Sequence, residues 1–253
     1  MILCIDIGNT VTEFGAFEGK ELLVAYKTNS DIKKSQDEYR GVLRTFLLES
    51  NLKSDFEGVI ISSVVPSLLV IYVSLSKEVF GLSPLIVGPR LKTGLALKVD
   101  HSNEVGSDLV CDSVGAVEAY GSNLFIADLG TASKFIYIDS ARAYSGLAIG
   151  VGLRLAAEAL NEKTAALPST SLIAPKFSMG KNTADCLNSG LTYGMSFMTR
   201  GFAESFAREA GQPLKKILTG GNAFYLKDIL NDFIYDEHLL LKGLASIYWR
   251  NKK

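Results

Sequence analysis

The chain has 253 residues, 47% of them hydrophobic and 21% charged, which suits two compact units of roughly 120 residues each with real apolar cores. That apolar content excludes disorder as the dominant state. Twenty-six basic against 27 acidic residues leave a formal charge of −1, without the basic excess by which a nucleic-acid binder neutralises phosphates.

The first segment, Ile2–Ile7, is apolar except for Asp6 and reads as a strand ending at the bend Gly8-Asn9-Thr10. It has no basic leader and is too short for a signal peptide. Thr12–Phe17 continues as a second strand, and a turn at Glu18-Gly19-Lys20 leads into a third, Glu21–Thr28. Tyr39, Val42, Leu43, Phe46 and Leu47 recur at helical spacing, which predicts a helix over Ser35–Ser50. No charge then occurs between Glu57 and Lys77, a stretch long enough to span a membrane. Five serines and Pro66 interrupt it, so it reads instead as a strand over Gly58–Val65 followed by a helix opening at Pro66. A soluble, cytoplasmic protein is the expectation. Pro84–Val87 is a short strand, Gly88–Ser102 is turn-rich, and Asp108–Tyr120 fits a helix.

After Gly121-Ser122-Asn123 the pattern restarts. Leu124–Ala127 runs into Asp128, followed by Gly130-Thr131 and strands at Phe135–Ile138 and Ala143–Ile149. Helices are expected at Leu153–Glu162, Thr183–Ala210 and Tyr225–Leu230, with a strand at Lys215–Leu218. An acid closing an apolar strand, then glycine and threonine, has now occurred twice: Asp6-Ile7-Gly8-Asn9-Thr10 and Asp128-Leu129-Gly130-Thr131. This is an internal duplication, with domains at 1–120 and 121–253 in an α/β fold and a cleft between them.

The repeated turn has a chemistry. Glycine after a strand lets backbone approach a ligand closely, and Asn9, Thr10 and Thr131 offer neutral donors to phosphate oxygens. The strand-end acid can hold a cation that offsets phosphate charge. A third element, Thr219-Gly220-Gly221-Asn222-Ala223, runs from strand into a glycine pair against which a base or ribose could lie.

The two turns and the glycine pair resemble the phosphate and adenosine motifs of the superfamily of actin, sugar kinases and heat-shock chaperone ATPases. Within it the chain resembles the type III pantothenate kinase family. The resemblance extends through Ser62-Ser63-Val64-Val65-Pro66, Lys92-Thr93-Gly94-Leu95, Val105-Gly106-Ser107-Asp108, Ala159-Leu160 and Thr164-Ala165-Ala166-Leu167-Pro168. Gly180-Lys181-Asn182-Thr183, Leu241-Lys242-Gly243-Leu244 and Ile247-Tyr248 complete it. The fold this implies is two similar ribonuclease-H-like domains. The activity it implies is transfer of the ATP γ-phosphoryl group to pantothenate, the first step of coenzyme A biosynthesis.

Carried over by position, Asp108 matches the general base and Asp6 the magnesium ligand. Gly8, Asn9, Thr10, Gly130 and Thr131 match phosphate contacts, and Gly220 and Gly221 the adenosine side. Asp128 matches a residue that helps hold a monovalent cation, potassium or ammonium. Gly106, Ser107 and Thr183 belong to a pantothenate pocket completed by the partner subunit of a homodimer. Nucleic acid and membrane are not expected partners. Read without the family, Asp108 is equally a helix-start acid favoured by the dipole, with Ser107 or Asp108 as cap.

The chain also departs from the pattern. Leu109 stands where the family has an arginine that engages the acidic acceptor, and Arg90, Arg142 and Arg154 are open as substitutes. Lys134 replaces a threonine, and Ile136 an acid. Lys134 is either an outward strand residue, the favoured reading, or an ammonium standing in for the monovalent ion. In Gly146–Gly152 the family's second glycine and its proline are Leu147 and Val151. Such changes keep two rivals open: a nucleotide-binding regulatory homologue without transfer, and a kinase of this fold with another acceptor.

Little else competes. Cys4, Cys111 and Cys186 are spaced for neither a disulfide framework nor zinc, which suits a reducing compartment. His101 and His238 are far apart, each beside an acid, and His101 reads as a solvated loop residue, so a histidine triad is poorly supported. Tyr248 and Trp249 are expected to pack a C-terminal helix, with Arg250–Lys253 as a solvated tail.

Overall fold

The computed structural model describes residues 1–52, 55–164 and 167–252, and among these the chain forms two compact units. The first is built on β1 (Ile2–Ile7), β2 (Val11–Glu18), β3 (Glu21–Asn29), β4 (Gly58–Ser63) and β5 (Leu85–Ile86), in the order β3-β2-β1-β4-β5. The β1-β2-β3 meander is antiparallel, and β4 lies parallel beside β1.

Alternate residues of one strand face opposite sides of a sheet, and β1 and β4 bury both. Leu3, Ile5, Ile7, Val59 and Ile61 pack with α1 (Gln36–Glu49) and α2 (Pro66–Phe80). A capping box, Ser35 with Glu38, starts α1, and Tyr39, Leu43 and Phe46 form its buried stripe. Pro66 opens α2 and Gly81, at φ 69°, closes it. The uncharged stretch thus divides as strand then helix, and no helix of the described residues is long and apolar enough to cross a membrane. On the sheet's other side Ile2, Cys4 and Ile60 pack with α3 (Ser107–Tyr120).

The second unit repeats the plan. Its strands are β6 (Ala96–Leu97), β7 (Leu124–Leu129), β8 (Ala132–Ile138), β9 (Ala143–Val151), β10 (Lys215–Thr219) and β11 (Ile234–Tyr235). Their order is β11-β10-β7-β8-β9-β6. Here β7-β8-β9 is the antiparallel meander and β10 the parallel neighbour of β7. Helices α4 (Leu153–Lys163) and α5 (Thr183–Ala210) cover a core that includes Phe125, Phe135, Leu191 and Leu218. The duplication seen in sequence is therefore a duplication of topology, as two ribonuclease-H-like domains require.

Three features differ from expectation. The last helix, α6 (Leu239–Asn251), packs Leu241, Leu244, Ile247 and Tyr248 into the core of the first unit, so packing groups 239–253 with residues 1–95 and 101–118. Over the expected helix Tyr225–Leu230, a short 3-10 segment, Ala223–Tyr225, gives way to turns at residues 226–230. Two-residue strands β6 and β11 were not foreseen, because two residues carry no periodicity. Trp249 packs edge-on against Tyr248 and donates to the Gly19 carbonyl at 2.7 Å. Of the sequence blocks above, Ala165, Ala166 and the tail residue Lys253 lie outside the described residues.

Candidate active site

In the first unit β1 carries Asp6 to its turn into β2, where the Gly8 amide donates to the Val11 carbonyl at 3.0 Å. Asp6 is half-buried, while Asn9 and Thr10 at the tip are exposed. The turn therefore presents amide and hydroxyl donors next to a strand-end carboxylate.

Parallel pairing sets Asp6 beside Ser62. Ser62 Oγ lies 3.1 Å from Ser107 Oγ, and the Ser107 hydroxyl donates to the Ser63 carbonyl at 3.2 Å. These contacts tie the start of α3 to the end of β4, next to the strand that carries Asp6. Asp108 occupies the first turn of α3, where the dipole favours an acid, and its Oδ1 accepts from the Leu109 amide at 2.9 Å. A Cβ on residue 106 would overlap that same oxygen, so the carboxylate fills space that only glycine leaves. Asp108 is thus a helix-start acid and a member of the Asp6 neighbourhood at once.

Cys111 lies one turn further on, in the same neighbourhood. Burial pushes its thiol well above the usual range, and the negative charges of Asp6, Asp112 and Asp108 add to that, against a hydrogen bond with Ser62. Leu109, in the family's arginine position, is buried at 7% exposure and offers no cation. Of the arginines open as substitutes, Arg154 bonds the Tyr225 hydroxyl at 2.5 Å, and Arg90 and Arg142 are exposed.

The second unit builds its turn more tightly. Asp128 closes β7, Gly130 and Thr131 form the bend, and Thr131 is exposed. Gly220 follows β10 at φ 91°; a Cβ there would overlap Asp128 Oδ1 and come within 2.6 Å of the Leu129 nitrogen. Gly152 lies against the other side, where a Cβ would overlap the Thr131 carbonyl. Asn222 completes the cradle: its amide donates to the Leu129 carbonyl and its Nδ2 to the Gly130 carbonyl, both at 2.7 Å. Gly221 is exposed, with open space where a Cβ would stand. Sequence reading did not single out Gly152 or Asn222 as site residues, although Asn222 adjoins the glycine pair and Gly152 is the last glycine of the Gly146–Gly152 block.

Lys134 corrects an expectation. It does not point outward: antiparallel pairing sets it opposite Asp128, and its Nζ lies 2.7 Å from Asp128 Oδ2. The carboxylate expected to hold a monovalent cation already has an ammonium on it, and a potassium ion does not fit there. Magnesium does fit the first unit, since it binds through one or two carboxylates and otherwise through water and substrate phosphates. Asp6 supplies such a carboxylate beside the Ser62 hydroxyl. No group of three His, Cys, Asp or Glu among the described residues forms a metal cage, and this mode of binding needs none. Thr183 opens α5 in the second unit and is exposed; Asn182 caps that helix by accepting from the Asp185 amide at 2.9 Å.

Comparison with known proteins identifies the family and the fold. A family model of type III pantothenate kinase matches residues 2–205. Among solved structures, a Campylobacter jejuni protein assigned to the Baf family of transcriptional activators aligns over 98% of both chains at 18% identity, with a TM-score of 0.62. A Sinorhizobium meliloti protein assigned as a 2-dehydro-3-deoxygalactonokinase aligns over 99% of this chain and 98% of its own at 10% identity, with a TM-score of 0.57. The activator of 2-hydroxyisocaproyl-CoA dehydratase from Clostridium difficile, solved with bound ADPNP, aligns over 97% of this chain and 92% of its own at 12% identity, with a TM-score of 0.54. At these identities the likeness is one of fold.

Proposed function

This chain belongs to the type III pantothenate kinase family, and on that premise we propose that it transfers the γ-phosphoryl group of ATP to the primary hydroxyl of pantothenate. The products are 4′-phosphopantothenate and ADP. The observation that carries the reading is the carboxylate of Asp108 folded over Gly106 at the strand end that bears Asp6.

Phosphoryl transfer asks little covalent chemistry of a protein and much positioning. Asp108 receives the proton of the acceptor hydroxyl as the new oxygen–phosphorus bond forms and the bond from phosphorus to the β-phosphate oxygen breaks. Asn9, Thr10 and Thr131 donate to phosphate oxygens, and the backbone at Gly220 and Gly221 takes the adenosine. Asp6 would hold magnesium, which supplies charge neutralisation on the phosphates. Gly106, Ser107 and Thr183 orient the acceptor. We assign the working form as a homodimer acting in the cytoplasm, feeding coenzyme A synthesis.

A second reading has a specific observation behind it. Leu109 places an apolar, buried side chain where the family clamps an acidic acceptor, which favours a kinase of this fold with a different small-molecule alcohol. A regulatory nucleotide binder without transfer has less support, because it uses Asp108 only as a helix-start acid and leaves its place beside Asp6 without a chemical role. Incubation with pantothenate, ATP and magnesium, with mass detection of the product, separates these. Product from the wild type and little from Asp108→Asn supports the pantothenate reading. Nucleotide binding without product ends it and sends the search to other acceptors.

A further inference from the structure

Asp128 is a carboxylate enclosed from two sides. It is 7% exposed; Oδ1 faces Gly220, and Oδ2 carries the Lys134 ammonium at 2.7 Å. The Lys134 side chain is itself only 20% exposed. The hairpin enforces this pairing: β7 and β8 turn through Gly130-Thr131, and that register sets residue 134 across from residue 128. The same two-residue bend exposes Thr131 as a donor. A fixed positive charge therefore sits at the base of a turn whose tip suits phosphate oxygens.

We propose that Lys134 is a monovalent cation built into the chain: its ammonium balances Asp128 and supports the phosphate-facing turn, so that nucleotide binding is independent of potassium. An ammonium group and a potassium ion carry the same charge. One is tethered and permanent, the other exchanges with solvent. A free cation entering beside Asp128 would meet the ammonium at short range, and like charges in a partly buried site repel strongly. The inference rests on reading the Gly130-Thr131 turn as a phosphate contact. It does not depend on which alcohol is phosphorylated.

The test exchanges salts at constant ionic strength, potassium chloride against choline chloride. It follows both Mg-ATP affinity by calorimetry and the melting midpoint. Wild-type affinity should agree within about twofold in the two salts. Lys134→Thr should bind Mg-ATP about tenfold more weakly in choline chloride and recover most of that loss in potassium or ammonium chloride, because the vacated site then admits an ion. A merely structural ion pair would weaken the variant equally in every salt, and that result overturns the proposal. So does a wild type that loses affinity without potassium. Should Lys134→Thr prove unfolded in choline chloride, its refolding on addition of potassium supports the proposal and failure to refold counts against it. Should the wild type bind no nucleotide, a variant melting midpoint that potassium restores still supports the internal cation, and one it leaves unchanged overturns it. Salt-independent Mg-ATP binding without phosphopantothenate would leave Lys134 in this role and end only the acceptor proposed above.

Discussion

The Oδ1 atom of Asp108 occupies the volume that a side chain on Gly106 would fill. Gly106 has no positive φ, so alanine costs little in backbone strain, and the far end of Asp108 must move instead. Gly106→Ala should therefore keep its melting midpoint and its Mg-ATP affinity while turnover drops about a hundredfold, the usual effect of a misplaced reacting group. Steady-state kinetics beside a thermal melt checks this. Unchanged turnover would remove Asp108 from the chemistry.

The adjacent glycines 220 and 221 should behave oppositely when each is changed to alanine. At Gly220, φ is 91° and a Cβ would come within 2.6 Å of the Leu129 nitrogen, which is backbone and cannot step aside. Gly220→Ala should lose about 1–3 kcal/mol or more of stability and bind nucleotide poorly. At Gly221 a Cβ meets open space, so Gly221→Ala should stay within about 0.5 kcal/mol of wild type. If adenosine lies on that backbone, Mg-ATP affinity still falls. Chemical denaturation and calorimetry on the two variants separate support from contact.

Much of this was legible because the relevant signals are local. The acids closing β1 and β7, the glycines after them, the capping box at Ser35 and Glu38, and Pro66 each act within a few residues. What escaped depends on partners distant in sequence. The second-unit cradle needs Gly152 to meet the Thr131 carbonyl, and α6 finds its core among residues more than a hundred positions away. Strands β6 and β11 exist only through pairing with β9 and β10. Lys134 is an intermediate case: a two-residue bend at Gly130-Thr131 sets the hairpin register, and counting outward from it puts 134 opposite 128.

Alkaline pH should expose the two buried thiols. Burial raises Cys4 and Cys111 well above their usual range, the latter further through Asp6, Asp112 and Asp108. For such a group the neutral form is native, so its stabilisation is complete below the unfolded thiol's range and is lost as pH rises towards the folded value. Above about pH 9 each thiol should cost about 1.4 kcal/mol of stability per pH unit. Denaturation at stepped pH should give a shallower slope for Cys4→Ala and Cys111→Ala than for wild type. Cys186 is exposed, so a thiol reagent should titrate one cysteine in the native protein and three in denaturant.

Asn222 holds the second phosphate turn by two bonds of different kinds. Its backbone amide reaches the Leu129 carbonyl, and any residue keeps that bond; its Nδ2 reaches the Gly130 carbonyl, which needs a side-chain donor. The residue is 5% exposed, so water cannot readily take over for the lost donor. Asn222→Ala should cost about 1–3 kcal/mol through the unsatisfied carbonyl. Asn222→Asp should cost more although it is the closer match in shape, because a carboxylate would face that carbonyl with no proton to give. Both should weaken Mg-ATP binding by loosening Gly130 and Thr131. Equal stability of the two variants would mean that Nδ2 only fills space, and the turn would then owe its shape to Gly152 and Gly220 alone.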